Sequence, residues 1–173
     1  MKKSLLSIAT LAATALTAMA NEYTFVFDGN NDMGGLTRQA SINQDELTFS
    51  EEFSLNEEGI ELSVKNTATT GMGFALVNAG GSNAGLLVYA SMNTNTSMSP
   101  QISMTVPNGK INAAKVYMSG TALLNLSLYF NGKELSSEKV GDLYAWEWSD
   151  KTGTETLNVE WVNNFCTRFI HKI

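Results

Sequence analysis

Apolar and polar residues alternate with a period of two along most of the chain. The stretch 101–133 shows the pattern best. Ile102, Met104 and Val106 alternate with Gln101, Ser103 and Thr105, as in a strand with one buried face. Pro107-Asn108-Gly109 ends that run, because proline presets φ and Asn-Gly tolerates the positive φ that a reversal needs. A second run slips in phase at Ile111, Ala114, Val116 and Met118, which predicts a bulge near Asn112 or Ala113. A third run puts Leu124, Leu126, Leu128 and Phe130 on one face. It leads straight into Asn131-Gly132, a strong hairpin signal.

The same period recurs on both sides. Tyr23, Phe25 and Phe27 predict a first strand, with further strands at 36–41 and 46–55 and a turn at 56–59. Ile60, Leu62 and Val64 alternate with Glu61, Ser63 and Lys65, a strand with one wet face. Residues 66–99 are rich in Gly, Asn, Ser and Thr. They contain short apolar runs at 74–77 and 86–89 and end in an exposed polar loop at 91–99. Strands follow at 134–137 and 143–148, a turn at 151–154, and an alternating run through Leu157, Val159 and Trp161. Residues 165–173 close the chain as a strand. Short strands between regular turns predict an all-β fold, an antiparallel two-sheet β-sandwich of jelly-roll type, as one domain over 21–173.

The first twenty residues break the pattern and read as a signal peptide. Lys2 and Lys3 precede an apolar run at 5–16, and Ala18-Met19-Ala20 gives a small-x-small cleavage site. Asn21 follows where a lipoprotein would carry cysteine. The run is short for a membrane span, and no later stretch is apolar enough for one. The expectation is export to the periplasm, the cell surface or the medium, with no membrane insertion once the leader is removed.

The remaining 153 residues suit a single domain. The formal charge of −6 becomes −8 when Lys2 and Lys3 leave with the leader. That balance, with scattered Lys and Arg, argues against nucleic acid, which requires a clustered positive face. Cys166 is the only cysteine, so no intrachain disulfide supports the fold and an apolar core must hold it.

Three pieces together resemble a secreted β-sandwich module found in Bacteroidetes surface and exported proteins. They are Gly85-Leu86-Leu87-Val88-Tyr89, the run from Ile102 through Pro107-Asn108-Gly109-Lys110 to Ile111, and Thr167-Arg168-Phe169-Ile170. The resemblance spans about residues 59–173 in pattern, and its motifs are structural. The chain departs from the module at Ala113-Ala114 and after Trp148. The resemblance implies a sandwich fold, no catalytic residues, and an association with glycan binding and adhesion.

Two constellations carry candidate chemistry. Tyr144, Trp146 and Trp148 share parity, so on a strand their side chains lie on one face, about 7 Å apart. A row of flat aromatics can stack on sugar rings. The same row facing inward is ordinary core, with Ala145 and Glu147 outside. Asp28, Asn30 and Asp32 have the D-x-N-x-D spacing of a calcium loop. Met33 stands where that loop needs Gly, and Gln39 where it needs a bidentate Glu, so an Asx turn reads equally well.

Enzyme signals are weak. His171 is the sole histidine, there is no G-x-S-x-G elbow, and Gly71-Met72-Gly73 lacks the rest of a nucleotide cradle. The acids at positions 51, 52, 57, 58 and 61 read as a solvated face. The reading is an exported, non-enzymatic binding module with a glycan as partner and Tyr144, Trp146 and Trp148 as its platform. A structural or adhesive protein meeting another surface protein is the alternative, with a glycoside hydrolase third. No cofactor is expected, calcium being the sole candidate.

Overall fold

The computed structural model describes residues 21–66, 72–90, 100–120, 123, 126–162 and 168–173. The expected leader, the 91–99 loop, Leu124 and Cys166 lie outside these residues. The chain forms a β-sandwich. One sheet has seven strands, in spatial order β1 (Arg38–Gln39), β4 (Met72–Asn78), β5 (Ala84–Ala90), β13 (Arg168–Lys172), β7 (Ile111–Gly120), β11 (Leu143–Thr154) and β10 (Glu138–Val140). The other has six: β2 (Glu52–Glu57), β3 (Ile60–Lys65), β6 (Gln101–Thr105), β12 (Thr156–Glu160), β8 (Leu128–Phe130) and β9 (Lys133–Leu135). The named strands pair antiparallel, except that the two residues of β1 run parallel to β4.

The inner faces of both sheets build one core. Leu62 and Val64 of β3, Ile102 of β6, Leu157 and Val159 of β12, and Leu128 and Phe130 of β8 are fully buried. They meet Phe74, Leu86, Val116, Met118, Trp146 and Ile170 of the seven-stranded sheet. Each fully buried aliphatic or aromatic side chain stabilises by about 1.5–3 kcal/mol. With no intrachain disulfide available, that burial is what holds the layers together.

The turns follow from their residues. Asn131 and Gly132 have φ of 47° and 81° and form a two-residue hairpin between β8 and β9. Glu58 and Gly59, at 52° and 84°, do the same between β2 and β3. The slipped phase of β7 has its explanation on the neighbouring strand. Between Ser149↔Ala113 and Thr154↔Ile111, β11 carries extra chain opposite Asn112. The Asn112 side chain donates to the carbonyls of Asp150 and Lys151 at 3.2 and 3.4 Å, tying the bulge down. The turn expected at 151–154 is therefore a bulge within β11.

The expected strand at 46–55 begins only at Glu52, and Gln44–Glu46 is a short 3-10 turn. The reason lies in the long-range packing of this segment. Leu47 and Phe49 lie over the outside of the seven-stranded sheet, on Ala75, Val77, Leu87 and Phe169. Phe49 stacks on Tyr89 with ring centroids 5.2 Å apart. Gly73 lies beneath it, where an added Cβ would come 2.7 Å from the Cβ of Phe49. Runs 74–77 and 86–89 are continuous rather than alternating because both of their faces are covered.

The N-terminal segment completes the sheet. The N–H groups of Phe25 and Phe27 donate to the carbonyls of Ile173 and His171 at 2.9 and 2.8 Å. This places the segment beside β13 beyond the first residues of β5, where the pairing of β5 with β13 stops. Gly85 marks that point with φ of 146°, and a Cβ there would sit 2.7 Å from the carbonyl oxygen of Ile170. Phe25 and Phe27 are buried, as their alternation predicts.

Candidate functional site

The aromatic row lies inside the protein. Tyr144, Trp146 and Trp148 pair with Met118, Val116 and Ala114 of β7. Trp146 is 0% and Trp148 5% exposed, and Tyr144 packs against the same core. The Trp146 indole N–H donates to the carbonyl of Leu126 at 3.0 Å. The expectation that these three residues form a sugar platform is therefore corrected, because no ligand can reach the buried indoles. The physical reason lies on the other side of the strand. Glu147 alternates with the tryptophans and pairs with Lys115 at 3.0 Å on the outer surface. A carboxylate in the core would cost on the order of several kcal/mol of desolvation, so the strand turns its indoles inward.

The side-chain oxygens of Asp28, Asn30 and Asp32 accept from donors within the loop and from β1 and β4. The Asn30 backbone N–H and side-chain amide donate to the two carboxylate oxygens of Asp28 at 2.8 and 2.6 Å. The Asn30 side-chain oxygen accepts from Asn78 at 2.8 Å, and Asp32 accepts from the backbone N–H of Arg38 at 2.7 Å. The Asn30 hydrogen bonds hold the Asp28 carboxyl below its ordinary pKa. Each of the three residues thus has a side-chain oxygen engaged by a protein donor, and the Asp28–Asn30 bonds are those of an Asx turn, the reading that the sequence set beside a metal loop. Among the described residues, no group of three His, Cys, Asp or Glu is placed to hold a metal ion.

His171 meets Ser119, with the imidazole Nε2 and the hydroxyl oxygen 2.7 Å apart. Burial holds the imidazole pKa below its ordinary value and so favours the neutral ring. A neutral histidine beside a serine has the first contact of a nucleophile pair, but Ser119 is only 4% exposed and closed to a substrate. The pair fastens β13 to β7. A shallow recess of about 140 Å³ lies between Glu22, Tyr23, Phe25 and the Glu57-Glu58 turn. It is smaller than the roughly 300 Å³ at which ligand pockets begin.

The outer face of the six-stranded sheet has a different character. Register aligns its outward residues into three rows. The first runs Glu52, Lys65, Gln101, Glu160, Tyr129 and Glu134 from β2 to β9. The second is Ser54, Ser63, Ser103 and Asn158, and the third Asn56, Glu61, Thr105 and Thr156. All are exposed or half-buried. Within the face, the Gln101 amide donates to Glu160, and the Thr105 and Thr156 hydroxyls lie 3.1 Å apart. The Asn131 side chain braces the margin by accepting from the Asn158 N–H at 2.8 Å.

This surface has hydroxyls and an amide at its centre, carboxylates, one ammonium and further amides around them, and one tyrosine in its rows. Short side chains at its centre lose little rotamer freedom when a ligand covers them. The sequence held a partial signal for it, since Ser63, Ser103 and Asn158 are the polar partners of alternating runs. Only cross-strand register brings them into one array. No protein-family model matches the chain, and no curated protein or solved structure shows significant similarity to it.

Proposed function

We propose that the protein is an exported, non-catalytic binding module whose ligand is a glycan, held on the open face of the six-stranded sheet. The observation that carries this reading is the array centred on Ser63, Ser103 and Asn158, bordered by Gln101, Glu160 and Tyr129. Glycans present many hydroxyl groups and weakly apolar ring faces. Hydroxyl, amide and carboxylate groups match the former, and a tyrosine ring can receive the latter. A protein partner fits this surface less well, because the centres of protein interfaces are enriched in aromatic and apolar residues. The resemblance to secreted sandwich modules is consistent with this reading and with export.

The experiment is a glycan array probed with the mature chain and with Ser103→Arg, which places a long cation in the middle of the face. Binding by the mature chain that the variant loses supports the proposal. A mature chain that binds no glycan overturns it and leaves a structural or adhesive protein as the reading.

A further inference from the structure

We infer that the open face selects uncharged glycans and rejects polyanionic ones. This inference rests on the glycan reading and deepens it by naming the ligand class. Strand register brings an excess of negative charge onto the three rows. Glu52, Glu61, Glu160 and Glu134 stand against a single ammonium on these rows, Lys65, whose cross-strand neighbours in register are Glu52 and Gln101. The β2–β3 turn adds Glu57 and Glu58 at the margin.

A uronate or sulfated polymer laid across this face would bring its anions within a few ångströms of these carboxylates. Such repulsion extends over about 10 Å at 0.1 M salt and about 30 Å at 0.01 M. A neutral sugar meets the same carboxylates differently. Its hydroxyl groups donate to ionised oxygens, and these charge-assisted hydrogen bonds are stronger than neutral ones. The carboxylates thus act as acceptors for a neutral ligand and as a barrier to an anionic one.

The row Gln101, Glu160 and Tyr129 is the contact line. Glu160 is held by the Gln101 amide, so its carboxylate is oriented before a ligand arrives. Tyr129 is its direct neighbour on β8 and offers the aromatic surface on this line. A sugar ring on Tyr129 would have its hydroxyls within reach of Glu160, joining apolar contact and hydrogen bonding at one spot.

The test is affinity electrophoresis of the mature protein through gels containing neutral, uronate-bearing or amino-sugar polysaccharides, at low and high salt. The expected result is retardation by a neutral polymer that salt barely changes, with none by uronate polymers. Tyr129→Ala should weaken that retardation by about tenfold, equivalent to about 1.4 kcal/mol. Ser103→Arg should weaken it as well, and Ser149→Arg, on the outer face of the other sheet, should leave it unchanged.

Retardation by uronate polymers overturns the selectivity while leaving the glycan reading in place. Retardation by amino-sugar polymers alone, lost in salt, also overturns it, because bulk charge attraction would then suffice. Neutral binding that survives both Tyr129→Ala and Ser103→Arg overturns the assignment of the face. Failure to bind any glycan, here and on the array, overturns the glycan reading itself.

Discussion

Phe25 and Ile173 each donate a backbone N–H to the other's carbonyl, at 2.9 and 3.0 Å. Segment 25–27 and the last strand therefore close on one another, and the sheet is complete only when both are in place. Phe27 fixes this clasp from within. It is 1% exposed, and its ring meets that of Phe53 edge-on at 6.4 Å.

Replacing Phe27 with alanine removes a buried ring and opens a cavity at the clasp. The expected loss of stability is about 3–5 kcal/mol. Urea denaturation followed by tryptophan fluorescence measures it. A loss under 1 kcal/mol, on the scale of a surface substitution, would show that the segment is not seated in the core.

Trp146→Phe keeps most of the apolar volume but removes the donor to Leu126. The buried carbonyl then lacks its indole partner, at a cost of about 1–3 kcal/mol. In the parent protein, Trp146, Trp148 and Trp161 are all buried, so iodide should quench their emission weakly. Strong quenching of the native fluorescence would contradict the inward orientation of β11.

The histidine clasp makes stability depend on pH. Burial lowers the pKa of folded His171 below its ordinary 6.5, so the unfolded chain binds the proton more readily. The neutral form's advantage is fully present above pH 6.5 and declines as pH falls from there toward the folded pKa. Asp28, Glu46 and Asp150 have lowered pKa values and lose their contributions only in the more acidic carboxylate range. Urea midpoints should therefore fall between about pH 7.5 and 5.5, and His171→Gln should flatten that slope. Equal slopes in the parent and the variant would exclude His171 as its source.

Asn30 joins three parts of the chain, donating to Asp28, accepting from Asn78 through its side chain and from Arg38 through its backbone carbonyl at 3.3 Å. Asn30→Ala removes the side-chain bonds and keeps the backbone ones. The expected cost is about 1 kcal/mol, read by thermal denaturation. Melting curves with calcium and with chelator should coincide for the parent protein. A rise with calcium that Asp32→Asn abolishes would restore the metal loop.

Local chemistry made the strands and hairpins legible. Asn131-Gly132 read as a hairpin because both residues tolerate positive φ, and Leu62, Val64, Ile102 and Met104 read as core because alternation survives without tertiary help. The 46–55 stretch misled because strand-like composition does not distinguish a paired strand from a segment lying over a sheet. Leu47 and Phe49 find their apolar partners on β4, β5 and β13, a contact that no local window contains.

Tyr144, Trp146 and Trp148 mark the limit of the sequence for this protein. The sequence by itself determined that they share a face, because side-chain parity is a property of a single strand. Only the tertiary structure decided that this face points inward, because direction depends on where the second sheet lies and on Glu147 finding Lys115 outside. The open face arose in the same way. Each strand contributes its own outward hydroxyls and amides, but the array from Ser54 to Asn158 exists only through the register of β2, β3, β6 and β12. Hydrogen-bonded pairing across distant segments sets that register, whereas parity requires only the pleat of a single strand.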